Sequence, residues 1–182
     1  MTHLGLATTA VGAIMAAALI GGCTATPTTS PTPTGPSQSP SPTVTPTPTL
    51  SPEDQKLEDA KARVVLLWQT LDGLLVDSSR SINELDSLAS GEALSSLQVM
   101  LTTVRQRGQV QVGATKIPSQ SALAKGDGWV VTSCVDRSEA ILTDKAGQPV
   151  TPAPQPRLSH ESTVQLVGAN LQITKDEVLG SC

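Results

Sequence analysis

The chain has 182 residues, a net charge of −4 at pH 7, two Trp and no Phe or Tyr, which allows one globular domain of ordinary size with an aliphatic core. All twelve Lys and Arg and all sixteen Asp and Glu follow Pro52, with the signs interspersed. No basic cluster meets a phosphate backbone and no aromatic platform stacks unpaired bases, so the composition argues against nucleic acid as a partner.

Leu4 to Ile20 is an apolar run rich in Ala, Leu and Gly, followed at once by Gly21, Gly22 and Cys23. This reads as a signal peptide over 1–22 with small residues before its cleavage point. Ile20-Gly21-Gly22-Cys23 resembles the bacterial lipobox, an aliphatic and two small residues ahead of the cysteine that becomes lipidated. That resemblance implies cleavage between Gly22 and Cys23, a lipid on the Cys23 thiol, and an extracytoplasmic location at the cell membrane. A plain membrane-spanning anchor is the alternative, because seventeen apolar residues approach the span of a bilayer. Met1-Thr2-His3 carries no Lys or Arg to hold that end in the cytoplasm, and on that ground a translation start a few residues upstream is expected.

From Cys23 to Pro52 the chain is almost entirely Thr, Pro and Ser. Such a segment has nothing to bury, and its prolines favour an extended backbone. At roughly 3.1 Å per residue in that geometry it spans on the order of 90 Å from the membrane. Ser/Thr-rich tracts with Pro are also frequent acceptors of O-linked sugars.

The domain expected over 53–182 opens with Ser51 as helix N-cap, Pro52 at the first helical position and acids in the first turn. Leu57, Ala60, Val64, Leu67, Trp68, Leu71, Leu74 and Leu75 then recur at helical spacing. A short segment around Ile82, Leu85 and Leu88 precedes a second helix, which starts near Ser90-Gly91-Glu92. Leu94, Leu97, Leu101 and Val104 line that helix, and Gly108 stops it. Beyond Gly108 the pattern becomes strands: Val110 and Val112 alternating with polar residues, Gly128 to Val135, Ala140 to Leu142 before the turn Asp144-Lys145-Ala146-Gly147, Leu158 to Val167, and Leu171 to Thr174 after a turn at Gly168-Ala169-Asn170. Helices followed by consecutive hairpins predict an α+β domain, the helices packed on one face of an antiparallel sheet.

This layout resembles the NTF2-like, cystatin-like α+β cone domains of actinobacterial secreted lipoproteins. The matching features are Trp68 in the first helix, the strand Gly128-Trp129-Val130-Val131-Thr132-Ser133-Cys134-Val135-Asp136, the Asp-x-x-Gly hairpin and a last strand pair ending in Gly180-Ser181-Cys182. The resemblance implies a curved sheet whose inner face lines a cavity. Enzymes of that fold that isomerise steroids use a pocket tyrosine with an acid, and a chain without Tyr departs from that pattern.

With Cys23 lipidated, Cys134 and Cys182 form an even pair outside the cytoplasm and are expected to bridge, pinning the C-terminus to a central strand. One histidine beside two cysteines does not supply the ligand spacing of zinc, so neither metal nor cofactor is expected. His160 shares a strand face with Leu158, Ser162, Val164 and Leu166, making it a candidate pocket residue or else a satisfied core histidine. Trp68 and Asp136 are further pocket candidates, each weighed against a structural role in the core or at a turn. No phosphate loop, nucleophile elbow or His-Glu-x-x-His sequence occurs.

The expected function is therefore a membrane-tethered, non-catalytic module that binds an envelope protein or a small apolar ligand. The rivals are an envelope-defence lipoprotein of a phage or mobile element, which excludes superinfection, and a small enzyme with His160 in its pocket.

Overall fold

A computed structural model describes residues 50–150 and 156–182, so the signal segment, Cys23 and almost all of the linker lie outside the described residues. Helix α1 runs Pro52–Val76, and the Ser51 hydroxyl accepts the Asp54 backbone N–H at 3.1 Å. Ala60, Val64, Leu67, Trp68, Leu71, Leu74 and Leu75 are buried along one stripe, as the spacing predicts. A 3₁₀ turn over Ile82–Ser87 buries Leu85 and leads to α2, Gly91–Gln106, which buries Ala93, Leu101 and Val104. Among the described residues no helix is long and apolar enough to cross a membrane.

Six strands follow among the described residues: β1 Val110–Val112, β2 Lys116–Lys125, β3 Gly128–Asp136, β4 Ile141–Thr143, β5 Arg157–Val167 and β6 Asn170–Ser181. A four-stranded antiparallel sheet has the order β2-β3-β5-β6, and β1 pairs with β4 in a small second sheet. The domain is thus α+β with antiparallel sheets. Its core joins the buried stripes of both helices to Val131 and Val135 of β3, Val164 of β5 and Ile173 of β6.

Two departures from the sequence reading have physical causes. β1 is inverted: Gln111 is 1% exposed, while Val110 and Val112 face outward. The Gln111 amide is satisfied in the interior, donating to Asp72 Oδ1 at 2.7 Å and to the Gly113 carbonyl at 3.4 Å. Strand β2 follows from no pattern in Lys116–Lys125, because its polar, Pro118-containing sequence suits a sheet edge with few buried positions.

Two irregularities shape β6. Its register against β5 shifts between Thr163 and Val164 and again between Ser159 and His160, which places Thr174 and Leu179 as extra residues. Ile173 is also bonded outward: its N–H donates to the Leu88 carbonyl and its carbonyl accepts the Ser90 N–H, both at 2.9 Å. The chain entering α2 thus bridges this edge strand at Ile173.

Candidate functional site

β5 alternates as a half-buried strand, with His160, Ser162 and Val164 toward the helices and Glu161, Thr163 and Gln165 on the opposite face. Val164 is core. His160 and Ser162 are polar in that apolar setting and need partners. Asp176 of β6 supplies them: its Oδ2 lies 2.8 Å from His160 Nδ1, and its Oδ1 accepts the Ser162 hydroxyl at 2.6 Å. A carboxylate only accepts, so the ring proton belongs on Nδ1, and in the neutral imidazole Nε2 keeps the lone pair. The Trp68 indole meets the imidazole edge to face, with centroids 5.2 Å apart and planes at 84°. Trp68 Nε1 is buried with no hydrogen-bond partner.

The sequence candidates His160 and Trp68 are therefore in contact, and Asp136 does not join them. Asp136 pairs with Arg157 across β3 and β5, on the sheet face opposite Ser133 and His160. Its Oδ1 accepts the Ser138 N–H at 3.0 Å and its Oδ2 lies 3.3 Å from Arg157 Nε. The Ser138 hydrogen bonds, with help from Arg157 and Lys116, hold its carboxyl below the usual carboxylate range. These are the contacts of a turn-capping Asp.

Asp176 was invisible as a site residue because the bulge at Thr174 resets the alternation. From Ile173, which is buried, a regular strand would bring positions 175 and 177 inward; instead Asp176 takes that face.

The chemistry open to this cluster follows from who donates to whom. The Ser162 hydroxyl gives its proton to the Asp176 carboxylate and not to the imidazole, so Ser162 and His160 are not arranged as a serine–histidine nucleophile pair. His160 is oriented and nearly enclosed. Two described clefts, of about 410 and 460 Å³, lie elsewhere: one is bounded by Arg63, Leu66 and Asn170, the other by Lys56, Asp127 and Trp129. Neither is lined by His160, Ser162, Asp176 or Trp68.

A second half-buried acid braces the other end of the domain. Asp72 of α1 accepts Gln111 Nε2 at 2.7 Å, the Thr115 N–H at 2.7 Å and the Thr115 hydroxyl at 2.8 Å, tying α1 to the segment that joins β1 and β2. Nearby, Gly113 has φ +82°, and a Cβ there would lie 1.8 Å from the Glu139 carbonyl oxygen, so this close crossing of two segments requires glycine.

Cys134 and Cys182 are joined by a disulfide, with Sγ atoms 2.09 Å and Cα atoms 5.8 Å apart. Cys134 lies on the same face of β3 as Asp136, away from the helices, so the bond staples the end of β6 across β5 on that outer face.

No family model matches the chain, and no curated protein matches it. Among solved structures, the intermembrane space region of the chloroplast protein ARC6 aligns with a TM-score of 0.53 at 18% identity, covering 74% of this chain and all of that one. This is a likeness of fold. A de novo β-sheet design aligns with a TM-score of 0.38 at 12% identity, covering 70% of this chain and 92% of that one.

Proposed function

We propose that this chain is an extracytoplasmic lipoprotein, held at the cell membrane by a lipid on Cys23, whose domain is a non-catalytic binding or protein-interaction module of NTF2-like type. The observation that carries the anchor is Ile20-Gly21-Gly22-Cys23 placed directly between an apolar run and a Pro/Thr/Ser tract. An NTF2-like architecture is supported by helices packed on one face of a four-stranded antiparallel sheet whose edge strand carries two bulges. A non-catalytic role is supported by the His160 cluster, in which the Asp176 carboxylate is taken up by His160 and Ser162 and none of the three lines a described cleft.

Feeding cells a clickable fatty acid and taking the intact mass of the purified chain tests the anchor. The chain from Cys23 onward should carry the label and lack residues 1–22, and Cys23→Ser should lose the label and keep those residues. An unlabelled wild-type chain that retains 1–22 would overturn this reading.

A further inference from the structure

The cleft beside Trp129 holds about 460 Å³. Small-ligand sites run from about 300 to 1,000 Å³, so a small molecule fits it. Its floor is the inward face of the sheet, with Trp129 of β3, Ala124 opposite it on β2, and Leu166 near the end of β5. Its roof is the first two turns of α1, from which the half-buried Leu57 points down. The space stays open because its other walls are small. Ala124, Gly126 and Gly128 line it beside one indole, and Gly128 admits no side chain, since a Cβ there would lie 2.5 Å from the Val164 carbonyl oxygen. Ser133, the cross-strand partner of His160, is four residues along β3 from Trp129, roughly 13 Å at strand spacing, so this cleft and the His160 cluster are separate places.

The charges at its rim differ from those around them. Glu58 pairs with Lys61, Lys116 with Glu139 and Lys175 with Glu177, whereas Glu53, Lys56 and Asp127, all exposed and lining the cleft, make no ion pair or side-chain hydrogen bond among the described residues. Asp54, the next acid in the first turn of α1, is already engaged, because its carboxylate accepts the Ser51 hydroxyl at 2.7 Å. The helix start favours an anion, but the Ser51 hydroxyl accepts the Asp54 N–H and takes up part of that field. Two carboxylates against one ammonium thus stand over an apolar floor in which Leu166 is still 59% exposed. An indole face and a carboxylate both attract positive charge.

We infer that this cleft binds a small molecule with an apolar body and a cationic head, the body against Trp129, Leu57 and Leu166 and the head at Glu53 and Asp127. The assignment deepens the binding-module reading, on which it rests.

The test uses three probes of similar shape and different charge, phenethylamine, 2-phenylethanol and 3-phenylpropionate, on the full chain in phosphatidylcholine vesicles at neutral pH, with empty vesicles as the blank. Acrylamide quenching reads the site, because Trp129 is half-buried and lines the cleft whereas Trp68 is 8% exposed in the core. Phenethylamine should shield Trp129 at a concentration roughly ten-fold lower than either other probe requires. Glu53→Gln combined with Asp127→Asn, both at exposed positions, should raise that concentration about five-fold. Equal shielding by the three probes, shielding that the double variant leaves unchanged, or no shielding by phenethylamine at any concentration would overturn the inference. Equilibrium dialysis keeps the two ideas apart: phenethylamine that the chain retains without shielding Trp129 removes this cleft and leaves the chain a binding module.

Discussion

Replacing Cys134 and Cys182 together with serine is expected to destabilise the domain by about 4 kcal/mol, the chain-entropy value for a bridge between residues 48 apart. For a domain of this size that lowers the melting temperature on the order of 10–20 °C. The bond closes the later part of the β-rich half of the domain, from near the end of β3 to just past β6, so the unfolded chain gains much freedom when it is cut. The loss is also local. In the sheet the last residues of β6 pair with β5 alone, and without the staple their amides should exchange far faster than that of Ile173, which donates to the Leu88 carbonyl in the core. Thermal melts of the variant and of reduced wild type check the first point, and hydrogen exchange checks the second. A melting temperature within 3 °C of wild type would refute the staple.

The other large effect is expected at Leu74. This side chain of α1 is 1% exposed and sits in the core near α2, whose Arg105 reaches back to donate to the Leu74 carbonyl at 3.3 Å. Leu74→Ala leaves a cavity that the surrounding helices and sheet fill only in part, at a cost of about 2–5 kcal/mol. With no Phe or Tyr in the chain, the core has few large side chains to spread into that space. Leu123→Ala, on the exposed edge strand, should stay within about 0.5 kcal/mol of wild type. Denaturant midpoints at constant slope distinguish the two. Similar midpoints for both variants would mean that Leu74 is not packed as described.

Helix α1 was legible in the sequence because two independent signals agree there, a capping serine with acids behind it and an apolar stripe at 3.6-residue spacing, and α2 because an apolar stripe runs up to a stop at Gly108. The strands announced themselves only where the alternation survives burial. β5 is such a case, and its inward face could be assigned before any coordinates. β1 could not, since a three-residue strand carries too little periodicity to outweigh a glutamine whose partners lie on α1 and in the following loop. β2 has almost no apolar face, because an edge strand needs little. Within the candidate site, His160 and Trp68 were readable as inward-facing residues, but their contact depends on how α1 crosses the sheet. Asp176 was out of reach, since an extra residue at Thr174 breaks the count on which alternation depends.

That extra residue gives β6 something like a reading frame. Pairing Thr174 one for one with Thr163, with no residue removed, would exchange the two faces of everything downstream: Lys175 would fall opposite Ser162 on the face of His160, and the imidazole would lose its carboxylate. Deleting Thr174 leaves the net charge unchanged and keeps that frame, because Lys175 still meets Thr163 and Asp176 still meets Ser162. The strand can therefore lose a residue at the bulge without losing its phase, and the hairpin tip at Gly168 is free to grow or shrink because no phase runs through it.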